Sequence, residues 1–204
     1  MKPYYEHAGV TIYHGDCLEV LPTLGTFDLL LTDPPYGLGN KMQGGTWGAA
    51  QKYGQLRSWD VKPNAEMIGV LLNKCGIAII WGGNYFALTP SRCWLSWSKS
   101  NAIDTMADFE LAWTNLDRPS KEWRGPVATH THGHPTQKPE ALMRWCFKFA
   151  PDATSVLDPF MGSGTTLVAA KRLGRRAVGI EREEKYCEIA AERLSQESLP
   201  LEMP

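Results

Sequence analysis

Ser155-Val-Leu-Asp158-Pro-Phe160-Met-Gly162-Ser-Gly164-Thr165-Thr166 is the stretch on which the fold turns. A short apolar run ends at a carboxylate, a glycine turn follows, and Gly164 to Leu173 takes helical spacing, so the segment reads as strand, turn and helix. Gly162 and Gly164 let backbone approach a ligand closely at the helix N-terminus. About twenty residues beyond Gly162, Glu181 ends the next apolar run, Ala177-Val-Gly-Ile-Glu181, where a carboxylate can accept both hydroxyls of a ribose. Leu167 stands where a dinucleotide fingerprint carries its third glycine, and no Gly-Lys-Thr/Ser follows as in a triphosphate P-loop. A tight Gly-Ser-Gly with an acidic strand end suits a nucleoside cofactor that has no pyrophosphate, such as S-adenosylmethionine. In isolation the same residues also read as an ordinary structural turn.

Outward from this stretch, short apolar runs alternate with amphipathic ones, the pattern of an α/β sheet protein. Strands are predicted at Val10 to His14, Phe27 to Thr32, Ile77 to Trp81, Cys93 to Trp97, Phe109 to Thr114, Ser155 to Asp158 and Ala177 to Glu181. Helices are predicted over Ala65 to Lys74, Pro139 to about Ala150, Gly164 to Leu173 and Glu184 to Leu194. Residues 38–62 hold five glycines and little periodicity and read as a long loop; 115–138 is polar, basic and turn-rich. The 204 residues are the length of one domain, taken as 1–204, and no apolar run nears the roughly 18 residues of a membrane span. Five scattered cysteines without a C-x-x-C pair, and an N-terminus without a signal-type apolar stretch, lead to the expectation of a soluble cytoplasmic protein with free thiols and no metal. The net charge of −1 hides an asymmetry: residues 37–148 carry 13 Lys and Arg against 8 Asp and Glu, while the flanks are acidic. A basic middle suggests contact with a polyanion, although such an imbalance is also common in proteins that never meet one.

The strand at Phe27 to Thr32 stops at Asp33-Pro34-Pro35-Tyr36. Two prolines end the strand and cannot propagate a helix, leaving Asp33, the Pro34 carbonyl and Tyr36 at the mouth of the sheet. An exocyclic amine on a nucleobase is a weak nucleophile because its lone pair is delocalised into the ring. Acceptors on its two N–H groups, here the Asp33 carboxylate and the Pro34 carbonyl, would draw that lone pair out of conjugation for attack on a sulfonium methyl. Tyr36 would give an aromatic face to a base turned out of the duplex. Alone, the tetrapeptide also reads as a Pro-Pro loop.

Together, Asp33-Pro-Pro-Tyr-Gly, Asp158-Pro-Phe-Met-Gly-Ser-Gly-Thr-Thr and His134-Pro-Thr-Gln-Lys-Pro139 resemble the catalytic and cofactor motifs of the β-class DNA adenine-N6/cytosine-N4 methyltransferases, in the β-class order. The resemblance implies a circularly permuted Rossmann-like methyltransferase fold, a mostly parallel seven-stranded sheet with helices on both faces. It implies S-adenosylmethionine as cofactor and DNA as partner, with methylation of the adenine N6 amine as the activity and Asp33, Pro34, Pro35 and Tyr36 as the catalytic set. Asp16 would approach the cofactor's adenine with the Cys17 backbone N–H beside it, the plainer alternative being that Asp16 caps the helix that starts near Leu18. Phe160 would pack near the cofactor and Lys138 or Thr136 would hold its methionyl carboxylate, with Asp158, Gly162, Gly164, Thr165 and Glu181 completing the cofactor set.

Larger relatives carry a separate recognition region between the two motifs; here that work would fall to short insertions at about 38–62 and 115–133. Lys41, Lys52, Arg57, Lys62, Arg118, Lys121 and Arg124 could clamp phosphates, and Trp47, with Trp59, could meet DNA, giving a short or relaxed site. A homodimer, frequent in the β class, would double that surface. Trp94, Trp97 and Trp113 are assigned to the core. Trp81-Gly-Gly-Asn84-Tyr85 is either pocket lining or a tight turn, and Glu110 could set a carboxylate near the target base, with a surface carboxylate as the default. His130, His132 and His134 alternate but lack further ligands for a metal. The rival activities are N4-methylation of cytosine, where relatives tend to carry Ser in place of Asp33, and RNA or protein amide methylation, where Asn is commoner. A catalytically idle binding module is the rival from another class.

Overall fold

The computed structural model describes residues 1–38, 60–102, 107–128 and 137–196. Strand β3 (Phe27–Thr32) lies at the centre of the sheet. Its alternation puts Leu29 and Leu31 on one face and Leu30 on the other, and all three are fully buried. A strand covered on both faces reads as a continuous apolar run, which is the mark of a parallel interior strand. β3 pairs in parallel with β4 (Cys75–Trp81) on one side and β8 (Ser155–Asp158) on the other. β9 (Arg176–Glu181) and β2 (Val10–His14) extend the parallel set. Beyond β4 the sheet turns antiparallel through β6 (Phe109–Thr114) and β5 (Trp94–Lys99).

Two edge strands complete it. β1 (Tyr5–His7) forms a hairpin with β2, and β7 (Lys121–Gly125) pairs in parallel with β5. The order is β1-β2-β9-β8-β3-β4-β6-β5-β7, so the sheet is mixed and has nine strands rather than the seven expected. β1 was hidden because its two-residue turn, Ala8-Gly9, places both residues at positive φ (49° and 77°) without the Asn-Gly that usually announces such a turn. β7 was read as turn-rich because Lys121, Glu122 and Arg124 are exposed; charge along an edge strand blocks pairing with another chain.

Helices cover both faces. α1 (Cys17–Val20) and α2 (Ala65–Asn73) bury Val20, Ile68 and Leu71 against Leu30, Ala78 and Ile80. α3 (Glu140–Cys146), α4 (Thr165–Arg172) and α5 (Glu184–Ser195) bury Leu142, Leu167 and Leu194 on the face of Leu29, Leu31 and Ile79. Caps set the starts of α1 and α2: Asp16 accepts from the Leu18 N–H and Asn64 from the Met67 N–H. Among the described residues no helix is long and apolar enough to cross a membrane.

Asp28 ties the start of β3 to that of β8. One of its oxygens accepts from the backbone N–H groups and the hydroxyls of Thr154 and Ser155, all at 2.8–2.9 Å. Those bonds, the Thr154 N–H foremost, hold its carboxyl down at about 2, against an ordinary value of 3.8. A depressed carboxyl stabilises the fold fully above its unfolded value and loses that contribution as pH falls through the folded one. Asp28→Asn is therefore expected to lower the melting temperature at neutral pH and to flatten the loss of stability between about pH 4 and pH 2. Melting curves across that range check this; an unchanged acid slope would remove Asp28 from the account.

A second tie closes a neck. The Gly37 N–H donates to Asp60 Oδ1 at 2.8 Å, and a Cβ on Gly37 (φ +69°) would lie 2.8 Å from the Lys62 Cβ. The two ends of the glycine-rich stretch therefore meet at one point beside the end of β3.

Candidate active site

A cleft of about 900 Å³ opens across the carboxyl ends of the parallel strands. It is lined by Asp33, Pro34, Pro35 and Tyr36 after β3 and by Asp158, Phe160, Gly162 and Thr165 after β8. Glu181 at the end of β9, Asp16 and Cys17 after β2, and Lys138 ahead of α3 complete the set. Parallel strands all end on the same side of a sheet, which brings together residues separated by most of the chain.

In one half of the cleft Glu181 organises the glycine turn. Its Oε2 accepts from the Gly162 N–H at 3.0 Å and its Oε1 from the Glu183 N–H at 2.9 Å. Burial raises its carboxyl above the usual range, and these backbone donors partly offset that. Each carboxylate oxygen keeps a lone pair for a vicinal diol. The Gly15 N–H donates to the Glu181 carbonyl at 2.9 Å, setting Asp16 beside Glu181. Asp16 both caps α1 through Oδ1 and faces the cleft, so its two sequence readings coexist. Asp158 accepts from the Thr32 hydroxyl at 2.8 Å and the Phe160 N–H at 3.2 Å; burial pushes its carboxyl up to about 7. Gly164 (φ +77°) stands back from the cleft, where a Cβ would lie 2.7 Å from that of Ala190 on α5. It is a packing glycine at the start of α4.

The other half is a charged cluster. Asp33 Oδ1 accepts from the Tyr36 hydroxyl and Asp33 Oδ2 from Lys138 Nζ, both at 2.5 Å. Lys138 Nζ also faces Glu110 Oε2 at 3.0 Å, and Lys99 Nζ lies 2.7 Å from Glu110 Oε1. Burial opposes the charge on Lys138, but Asp33 and Glu110 outweigh it and hold the ammonium well above its ordinary value. Burial likewise opposes the charge on Glu110, yet Lys138 and Lys99 bring its carboxyl down to about 2. The Tyr36 hydroxyl is pushed well up, by burial first and by Asp33 next.

The expectations meet the structure unevenly. Lys138, expected with Thr136 as an alternative to hold a cofactor carboxylate, pairs with Asp33 here, while Thr136 lies outside the described residues. Glu110 is no surface residue, its side chain being 23% exposed and paired on both oxygens. Its neighbours gave no signal for it, since alternation puts Phe109 and Leu111 on the opposite face of β6 and Phe109 is exposed; Lys99 gave none either, since a lysine at a strand end is ordinary. Tyr36 stacks on Tyr85 with ring centroids 4.8 Å apart, which covers one of its faces and leaves no room for a base between the rings. Trp97 and Trp113 are buried as expected, and Trp94 is half-buried.

Of the basic residues expected to clamp DNA, Lys62 lines the cleft and Arg124 is near the cleft end of β7. Arg118 and Lys121 are at the other end of the sheet: Lys121 pairs with Leu95 at the start of β5, and Arg118 lies over the Phe149 ring. The parallel pairing of β7 with β5 sends the start of β7 away from the cleft. Lys41, Trp47, Lys52, Arg57, Trp59 and the histidines at 130, 132 and 134 lie outside the described residues. Among the described residues no three His, Cys, Asp or Glu side chains converge to hold a metal.

The sheet and the cleft at its strand ends are those of a Rossmann-like methyltransferase. A family model described as DNA methylase matches residues 80–192, and the chain belongs to this family of N6/N4 DNA methylases. It is 29% identical to the type II methyltransferase M2.LlaDCHI of Lactococcus lactis subsp. cremoris, over 96% of this chain and 93% of that one. It is 28% identical to the type II methyltransferase M2.DpnII of Streptococcus pneumoniae, over 97% and 94%. Among solved structures it resembles the M1.HpyAVI–SAM complex, with a TM-score of 0.59 and 26% identity over 92% of this chain and 100% of that one. The cytosine-N4-specific PvuII DNA methyltransferase, 15% identical with a TM-score of 0.64 over 97% and 90%, shares the fold.

Proposed function

We propose that this DNA methylase transfers a methyl group from S-adenosylmethionine to the exocyclic N6 amine of adenine in DNA, the base being turned out of the duplex. The observation that carries the reading is Asp33: its carboxylate stands in the same cleft as Glu181, held from one side by Tyr36 and from the other by Lys138. The cofactor supplies an electrophilic methyl on a sulfonium. Glu181 would take the ribose hydroxyls and Asp16 the adenine amine, with Phe160 against the cofactor ring. Asp33 and the Pro34 carbonyl would accept the two N–H groups of the target amine and draw its lone pair toward the methyl. Asp33 need only accept a hydrogen bond, because the methylated amine is cationic and sheds its proton readily. Lys62 and Arg124, at the cleft end of the sheet, would meet backbone phosphates.

Asp33, in place of the Ser more usual in cytosine enzymes of the family, favours adenine. The order of the chain, with the Asp33 strand ahead of the glycine turn and β2 lying beside β9, fits a circular permutation of the fold. Nucleoside mass spectrometry of unmethylated DNA incubated with enzyme and S-adenosylmethionine decides the base. N6-methyldeoxyadenosine supports the reading, N4-methyldeoxycytidine overturns the base assignment, and no methylated nucleoside overturns the substrate class. Glu181→Ala is expected to weaken S-adenosylmethionine binding by about 10–100-fold, the loss of a charged acceptor of two hydroxyls. Calorimetric titration checks this, and unchanged affinity would move the ribose elsewhere.

A further inference from the structure

Glu110 and Lys99 line the cleft, yet the reaction as proposed gives them nothing to do. They continue the catalytic carboxylate into a row of alternating charges, Lys99, Glu110, Lys138 and Asp33. The lysine side chains are only 10% and 8% exposed. Sheltered ion pairs often stabilise less than apolar packing of the same volume, so such a row calls for a reason beyond stability.

Lys138 has three N–H donors, and three acceptors surround it: Asp33 Oδ2 at 2.5 Å, Glu110 Oε2 at 3.0 Å and the Tyr36 oxygen at 3.4 Å. A carboxylate that already carries an ammonium is a weakened acceptor for an amine N–H. Glu110 competes for that same ammonium with an Oε2 that is sheltered from solvent and stands 3.0 Å from it. Lys99 competes for Glu110 from the other side, at its Oε1.

We propose that Glu110 is a positioning residue for methyl transfer, taking the Lys138 ammonium from Asp33 as the target amine arrives so that Asp33 accepts the amine with its full charge. Lys99 shares Glu110 with Lys138 and so limits how strongly Glu110 draws the ammonium away. The inference rests on Asp33 being the acceptor of the target amine. The titratable groups facing Asp33 are Tyr36, Lys138, Glu110 and, across β8, Asp158; Lys99 acts on it through Glu110.

The test compares wild type, Glu110→Gln, Glu110→Asp and Lys99→Met in steady-state methylation across pH, with cofactor affinity and melting temperature measured beside it. Glu110→Gln leaves the ammonium to Asp33: kcat should fall about tenfold or more, the acid limb of the pH profile should move to lower pH, and cofactor affinity should stay within about threefold. Glu110→Asp should recover part of the loss. Lys99→Met strengthens the pull of Glu110 on Lys138 and should move the acid limb the other way. The inference is overturned by a Glu110→Gln kcat within about twofold of wild type, by acid limbs that move together, or by losses that follow melting temperature with the limb unmoved. A wild-type enzyme that methylates no DNA overturns the proposed function and this inference with it; wild-type turnover with an indifferent Glu110→Gln overturns the inference alone.

Discussion

Asp33→Asn is expected to cut methyl transfer by about 10²–10³-fold while leaving S-adenosylmethionine affinity within about threefold. The carboxylate accepts from Tyr36 on one oxygen and Lys138 on the other, and each oxygen has a further lone pair for the target amine. An amide has one acceptor oxygen, no charge, and an NH₂ that must face either a hydroxyl or an ammonium. Charge-assisted bonds are about twice as strong as neutral ones, so the pull on the amine's lone pair falls even where the shape is kept. Glu181, Asp16 and the glycine turn stand on β9, after β2 and after β8, apart from this change, which is why binding should survive. Single-turnover methylation at saturating DNA, beside a cofactor titration, separates the two effects. Transfer at the wild-type rate would strip Asp33 of its role, and a parallel loss of cofactor affinity would make it part of the cofactor's seat instead.

Gly82→Ala should damage both the fold and the reaction. Gly82 follows β4 with φ at +66°, and a Cβ there would lie 2.0 Å from Tyr36 Cε1 and 2.4 Å from Cζ. The ring has little freedom to yield, since Tyr85 is stacked on it at 4.8 Å and Phe86 meets it edge-on at 6.4 Å. Left-handed backbone for a residue with a Cβ costs about 1–2 kcal/mol, and overpacking of a filled site about 1–3 kcal/mol more. A ring that does shift withdraws its hydroxyl from Asp33 Oδ1, and a displacement near 1 Å at a reacting group costs on the order of 100-fold in rate. Thermal melting and turnover of the surviving folded protein test the two halves separately. A variant with wild-type melting would mean that Tyr36 has room the structure does not show.

The parts of the fold that depend on pattern were legible. Phe27-Asp-Leu-Leu-Leu-Thr could hardly be other than an interior strand, and Asp33-Pro-Pro-Tyr closes it by the chemistry of proline alone. β1 and β7 were not legible, because an edge strand has one side in solvent and no burial pattern to impose, and Ala8 is an unusual residue for its turn. In the site, Asp33, Tyr36, Gly162 and Glu181 were legible because each sits at a strand end beside residues that break the chain's regularity. Glu110 and Lys99 sit within β6 and at the end of β5, and only the antiparallel crossing beyond β4 swings them toward Lys138. Gly164 was drawn into the cofactor set by its nearness to Gly162, whereas α5 uses it for close approach.

The neck at Gly37 and Asp60 has a consequence for how such a protein can diversify. Gly37 and Asp60, 23 positions apart in the sequence, are joined where one backbone N–H meets one carboxylate. Lengthening a loop whose ends are already fixed costs only about 0.6 kcal/mol for each doubling. A change of length between the two posts therefore costs little at this closure. The neck is thus a graft point, where segments of other lengths can be joined in the laboratory to the strand that leads into Asp33.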